Sequence, residues 1–165
     1  LEAPSAYTPQ TATSPAEQVS RGKYMIRLLG CGICHTDGDL IGEPNYALNL
    51  AGSSIGIAYS NPLVDKYPAV IYPPNITPDV ETGIGRWSES ELVLLLRSGE
   101  ASHDRRLLAV MPWPTYAWIN DSDALAIAAY LFSLPPVKHQ VPDNVSAGRM
   151  ASSPYVHFGV YRSRQ

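Results

Sequence analysis

Cysteine is scarce in this 165-residue sequence: there are only two, and both lie in one short motif. So few cysteines exclude the disulfide framework that stabilises many small secreted domains. The pair is instead expected to act as a redox couple, to supply half of a metal site or to attach a cofactor.

Long apolar runs are also missing. The longest, Leu92–Leu96 and Ala124–Phe132, are far shorter than the roughly 20 residues that a membrane-spanning helix needs. No signal-peptide pattern begins at Leu1, which favours a mature, soluble chain whose targeting segment has been removed. We therefore expect no transmembrane segment.

The sequence has no excess of basic side chains. Twelve Lys and Arg stand against 15 Asp and Glu, giving a formal net charge of −3. Nucleic acids and anionic membranes both select a basic surface, so neither is expected as the main partner. By contrast, 15 Pro and 12 Gly indicate one loop-rich domain with short helices.

Three helices are predicted from their capping signals. The first follows Ser14-Pro15 and ends at Gly30, and the second follows the capping box Ser88–Glu91. The third begins at Asn120 and stops before Pro135-Pro136.

The segments between and around these helices give the domain organisation. Residues 1–15 predict a flexible lead-in, residues 16–141 the folded domain, and residues 142–165 a C-terminal extension. Residues 36–86 are mostly irregular, which is reasonable if these loops wrap a large rigid ligand. Alternating residues at 155–161 suggest an extended strand.

The two cysteines belong to the motif Cys31-Gly32-Ile33-Cys34-His35, at the end of the first predicted helix. Their spacing places both sulfurs on one side of a helical turn, where they can add to the two vinyl groups of one porphyrin. The adjacent His35 is then the proximal iron ligand. The motif predicts one covalently bound haem c.

Two other interpretations compete with haem attachment. A zinc site needs two more ligands at short spacing, but His103, His139 and His157 are isolated along the sequence. A thioredoxin-like pair is expected to open a helix within a βαβ pattern, whereas this pair closes a helix and no such pattern is present.

Met111 is the candidate for the second iron ligand. It lies in Leu108-Ala109-Val110-Met111-Pro112-Trp113-Pro114, where the prolines stiffen the loop that would hold the thioether over the open face of the haem. The other methionines fall in the first helix and in the tail. His103 is the rival ligand.

These residues resemble the class I cytochromes c, and especially the cytochrome c domains and subunits of periplasmic quinoprotein and flavoprotein dehydrogenases. The resemblance covers residues 16–141. It rests, besides the haem motif, on four further stretches of sequence: Arg21-Gly22-Lys23-Tyr24, Asn75-Ile76-Thr77-Pro78-Asp79, Thr82-Gly83-Ile84-Gly85-Arg86-Trp87, and Met111-Pro112-Trp113 with Tyr116 and the Asp123–Tyr130 helix.

The resemblance implies an all-α fold: three main helices and long loops wrapped around one haem. It implies that the first and last helices cross through Gly22 and Tyr130. It also implies that the proline turn Glu43-Pro44-Asn45 supplies the carbonyl that accepts the free N–H of the proximal histidine. Candidates for bonding the haem propionates are the side chains of Tyr72, Asn75, Trp87 and Trp113, with Arg86 as a weaker one.

The sequence departs from those subunits, which usually carry three haems, because it has a single Cys-x-x-Cys-His. Residues 61–74 are less like the family, and the tail after Pro142 lies outside the resemblance. This favours a monohaem protein, either a stand-alone carrier or one subunit of a larger assembly.

We therefore expect a periplasmic c-type cytochrome that transfers single electrons and is not itself an enzyme. Its donor would be a dehydrogenase or a quinol-oxidising complex, and its acceptor an oxidase or another cytochrome. Two alternatives stay open: a haem subunit fixed in a respiratory or polymeric assembly, and a haem enzyme or sensor with an exchangeable distal ligand.

Overall fold

A computed structural model describes residues 14–61, 66–100 and 110–158 of the chain. These residues form two compact units. The first comprises the described residues up to 29 and between 87 and 134, and the second comprises those between 30 and 86 and from 135 onward. Both units are therefore assembled from segments that are distant in sequence.

The first unit is helical. In its described residues the helices are α1 (Pro15–Leu28), α3 (Glu89–Ser98), α4 (Trp113–Tyr116) and α5 (Asp121–Ser133). The Ser88 hydroxyl accepts from the N–H of Glu91, whose carboxylate in turn accepts from the N–H of Ser88. This reciprocal cap confirms the start predicted for the second main helix.

The ends of α1 and α5 also follow the sequence signals. The Ser14 side chain accepts from the backbone N–H of Glu17, and Pro15 takes the first helical position. The Asn120 side chain accepts from the backbone N–H of Asp123 at 2.8 Å. Each side chain satisfies a backbone donor that the start of a helix leaves unpaired.

Helices α1 and α5 pack closely at Gly22. A Cβ built on Gly22 would overlap the carbonyl of Ala126 and lie 2.7 Å from the Cβ of Tyr130. Only glycine lets the two backbones approach this far. The contact between Gly22 and Tyr130 that the resemblance implied is confirmed.

The second unit contains the short helix α2 (Cys31–His35), 3₁₀ turns at Asp39–Ile41 and Tyr46–Leu48, and a small sheet. Strand β1 (Gly56–Ala58) lies between β2 (Val70–Ile71), antiparallel to it, and β3 (Tyr155–Val156), parallel to it. The fold is therefore mostly helical with a small three-stranded sheet. Residues 36–86 were predicted to be mostly irregular, and within them β1 and β2 contribute five strand residues. A strand was predicted at residues 155–161, where β3 begins.

The C-terminal tail packs on its own unit. Val145 and Val70 exchange two backbone hydrogen bonds of 2.8 Å, and β3 adds to the sheet a few residues later. Among the described residues, no helix has the length and hydropathy that crossing a bilayer requires.

Candidate functional site

The two cysteines lie on helix α2, which starts after a sharp turn at Gly30. The φ angle of Gly30 is +69°, a left-handed conformation that suits glycine and redirects the chain out of α1. Cys31 and Cys34 lie one turn apart, and both are partly exposed. The helix thus presents two accessible thiols at the predicted spacing.

Both thiols hold their protons strongly. Burial raises the pKa of Cys31 to about 11, and burial together with the carboxylate of Asp39 raises the pKa of Cys34. A thiol-exchange pair needs a lowered pKa at its attacking cysteine, so this environment does not suit a thioredoxin-like couple. Within the described residues, no three metal-binding side chains gather at one place.

His35 follows the second cysteine and is only 8% exposed. Its Nδ1 lies 2.7 Å from the carbonyl oxygen of Pro74. Because a carbonyl oxygen only accepts, Nδ1 carries the proton and Nε2 keeps its lone pair. Burial lowers the pKa of His35, an effect that the bond to Pro74 opposes. The imidazole is thus held neutral, in the tautomer that binds a metal through Nε2.

The partner of His35 differs from the one that the resemblance implied. The turn Glu43-Pro44-Asn45 is held in the loop after α2, where Glu43 donates to the carbonyl of Gly38 at 3.0 Å. The acceptor is Pro74, 39 residues from His35 in sequence. The acceptor is a proline carbonyl, as predicted, but it belongs to Pro74 and not to the turn at Pro44.

A second contact fixes the backbone of the histidine. Gly52 donates its N–H to the carbonyl of His35 at 2.8 Å, and Ser53 donates to the carbonyl of Pro73 at 3.0 Å. At +88°, the φ angle of Gly52 is left-handed, and a Cβ there would lie 2.7 Å from the backbone nitrogen of Asn75. Sequence reasoning missed Gly52, although a glycine that follows a buried Leu-Ala pair is a recognisable signal for close backbone approach.

Of the other candidate residues, Met111 and Trp87 lie in the first unit, and Arg86 lies in the second. Met111 is half-buried just before α4, and its carbonyl accepts from the N–H of Trp113 at 2.7 Å. Trp87 is also half-buried, while Arg86, at the end of a second-unit segment, is exposed. His103 lies outside the described residues.

Comparison with known proteins finds relatives of one kind. The chain is 35% identical over 138 residues to the cytochrome c subunit of a quinone-dependent alcohol dehydrogenase from Gluconacetobacter polyoxogenes, covering 81% of this chain and 28% of that protein. It is 34% identical over 127 residues to the gluconate 2-dehydrogenase cytochrome c subunit of Pantoea cypripedii, covering 76% of this chain and 25% of that protein.

Over most of its length the chain is similar to cytochrome c subunits of dehydrogenases. A further relative is a nicotinate dehydrogenase subunit from Pseudomonas putida, 35% identical over 82% of this chain and 10% of that protein. The chain therefore spans less than a third of the length of these relatives. No family model matches the chain. The predicted resemblance to the cytochrome c subunits of dehydrogenases is confirmed.

The donor set of the cytochrome fits a haem c. Two thiols at thioether spacing stand beside a neutral imidazole whose Nε2 lone pair is free for iron. In the first unit, the Nε1 of Trp113 is buried and has no hydrogen-bond partner in the part of the chain that the structure describes.

Two of the predicted propionate partners are engaged elsewhere in this cytochrome. The Asn75 amide donates to Thr82 Oγ1 at 3.0 Å and to the carbonyl of Val137 at 2.7 Å, which uses both of its N–H bonds. The Tyr72 hydroxyl donates to the carbonyl of Ser153 at 3.0 Å. In this structure the donors of Tyr72 and Asn75 are bonded to the protein, and their assignment to the haem pocket stays a prediction.

Proposed function

We propose that this chain is a c-type cytochrome domain that carries one haem, attached through Cys31 and Cys34, and passes single electrons between redox proteins outside the cytoplasm. The observation that carries this proposal is the 2.7 Å hydrogen bond from Nδ1 of His35 to the carbonyl oxygen of Pro74. His35 is the residue that follows the second cysteine. This bond places the proton on Nδ1 and leaves Nε2 with the lone pair that metal binding requires, and it orients the plane of the ring.

Each side chain has a distinct task in this proposal. Cys31 and Cys34 would hold the haem covalently, and His35 and the thioether of Met111 would be the ligands of its iron. The unpaired indole N–H of Trp113 would donate to a propionate. When bound, haem c supplies a one-electron couple whose potential depends on its axial ligands and their hydrogen bonds.

The protein's contribution is rigidity. Outer-sphere electron transfer is fast when the ligands move little between the two oxidation states. The backbone of His35 is fixed by Gly52 and its ring by Pro74. Neither bond has a mobile side chain as partner, because both partners are backbone groups: the N–H of the buried Gly52 and the carbonyl of Pro74, an exposed residue whose ring fixes φ.

The intact mass of the purified protein tests this proposal directly. Expressed with the cytochrome c maturation machinery, the chain should gain the mass of one haem and show the sharp absorption bands of a reduced c-type cytochrome. Replacing both cysteines by alanine should abolish the covalent gain. A wild-type chain that remains colourless, at the mass of its amino acids, would overturn the proposal.

A fixed position in a dehydrogenase complex is the second candidate function. The names of its relatives favour it, because the proteins from Gluconacetobacter polyoxogenes and Pantoea cypripedii are subunits of alcohol and gluconate dehydrogenases. Co-purification of the native protein with a dehydrogenase at constant stoichiometry would support a fixed subunit. Isolation as a monomer that exchanges electrons with several partners would support a diffusible carrier.

A further inference from the structure

The carbonyl that orients His35 lies in the middle of a short acceptor segment, residues 72–76. Pro74 has no N–H and its ring fixes φ, so it makes no backbone donor contact that would hold its own position. Pro73 before it is restricted to extended conformations and is tied to Ser53. The position of the Pro74 carbonyl therefore depends on what anchors the two ends of the segment.

The N-terminal end of the acceptor segment is anchored by the C-terminal tail. Tyr72 donates its backbone N–H to the side-chain oxygen of Asn144 at 2.8 Å. Its hydroxyl donates to the carbonyl of Ser153 at 3.0 Å, and the residue is only 3% exposed. Two positions of the tail thus hold one residue, at its backbone and at the tip of its ring.

The tail is itself firmly placed. Val145, next to Asn144, exchanges two backbone hydrogen bonds with Val70. At the other end, Pro154 accepts from the N–H of Gly56 at 2.9 Å, where β3 joins the sheet. Asn144 and Ser153, the two tail residues that hold Tyr72, each lie next to a residue that is hydrogen-bonded to the sheet. The tail therefore keeps its own position and holds the acceptor segment in place.

We propose that Asn144 is a positioning residue for the proximal histidine and acts through Tyr72 and the Pro74 carbonyl. This inference rests on the proposed function, in which His35 binds the haem iron. A hydrogen-bonded Nδ1–H makes the imidazole a stronger donor to iron and stabilises the oxidised state. Loosening the acceptor segment weakens that bond, so the reduction potential rises.

The test replaces Asn144 by alanine in the haem-loaded protein. Asn144→Ala should raise the midpoint potential and speed exchange of the His35 Nδ1–H by about fivefold, the effect of losing one hydrogen bond. Asn144→Asp keeps an acceptor oxygen for the Tyr72 N–H and should restore both values. Ser146→Ala, an equally small change at an exposed position of the same tail, should leave both unchanged.

The outcomes separate positioning from general stabilisation. Faster exchange at His35 without faster exchange at the N–H of Val70 supports the proposal. Equal acceleration at both sites, or a wild-type potential in Asn144→Ala, overturns it. The proposed function is judged independently by the mass of the wild-type protein. If the chain carries no haem, the exchange rate of His35 in the haem-free protein still decides whether Asn144 positions the imidazole.

Discussion

Arg21 and Asp123 form a two-bond ion pair between α1 and α5. Nε of the guanidinium lies 2.8 Å from Oδ1 of the carboxylate, and Nη2 lies 3.2 Å from Oδ2. The Asp123 side chain is 11% exposed, and it also accepts from the amide of Asn120 at 3.0 Å. The carboxylate therefore joins the N-terminal cap of one helix to the side of another.

We expect Arg21→Ala to lower the free energy of unfolding by about 2 kcal/mol, because it leaves a largely buried carboxylate without its charged donor. Urea titration of the haem-loaded protein, followed by circular dichroism, measures the change. Lys23→Ala is the matched control, since Lys23 is an exposed cation on the same helix. Equal effects of the two substitutions would contradict the assignment.

The same pair predicts a dependence on pH. The hydrogen bond from Arg21 lowers the pKa of Asp123, with burial opposing it. A carboxyl with a lowered folded-state pKa contributes stability that is fully present above its unfolded pKa of about 3.9 and is lost as the pH falls through the folded value. The stability difference between wild type and Arg21→Ala should thus be constant near neutral pH and shrink below about pH 4. A difference that persists in acid would show that the charge plays no part.

Gly22→Ala should destabilise the crossing of α1 and α5 by roughly 1–3 kcal/mol, because the new methyl group overlaps the carbonyl of Ala126. Helix propensity alone predicts the opposite sign, a gain of up to about 1 kcal/mol. Ser20→Ala, at an exposed position of α1, is the control and should be neutral or slightly stabilising. Thermal unfolding of both variants decides between packing and propensity.

Met111 is proposed as the second iron ligand, and its sulfur should give the oxidised protein a weak far-red absorption band. Met111→Ala should lose this band and bind carbon monoxide in the reduced state. Met150→Ala is the matched control, because Met150 is 74% exposed. If the band survives in Met111→Ala, or is absent from wild type, the thioether is not the ligand, and His103 or an open position replaces it.

Trp113→Phe removes the orphaned indole N–H and keeps an aromatic ring over Gly99, which Trp113 covers closely. Losing a donor raises the pKa of the propionate that it would stabilise. The midpoint potential falls as rising pH removes the proton of the propionate. In Trp113→Phe this fall should therefore occur at a higher pH than in the wild type. Trp118→Phe, at a position that is 90% exposed, should not change the profile. Identical profiles for wild type and Trp113→Phe would exclude Trp113 as the donor.

Local signals predicted most of the fold. Ser14, Ser88 and Asn120 each cap a helix because their side chains reach a backbone donor three residues ahead, which is a property of a few neighbouring residues. The haem motif is similarly local, since Cys31 and Cys34 share one helical turn. These elements were therefore accessible from the sequence alone.

Contacts between residues that are distant in sequence could not be predicted in this way. The proline turn nearest to His35 in sequence was taken as its acceptor, whereas the chain folds back to present Pro74. Strands β1 and β2 are three and two residues long, too short for alternation to reveal them. Tyr72 and Asn75 were plausible as propionate donors by residue type, and only tertiary structure shows that their hydrogen bonds are used within the protein.

The contacts between Tyr72 and the C-terminal tail also affect the order in which the chain folds. The bonds that fix the proximal imidazole close loops of 39, 72 and 81 residues, whereas the helix caps span three. Contacts between distant residues carry a larger entropic cost of closure and form late in folding. During synthesis the cysteines emerge long before Asn144 and Ser153. The hydrogen bonds that hold Tyr72 next to the acceptor segment are therefore complete only after residues 144 and 153 have been made and have joined the sheet.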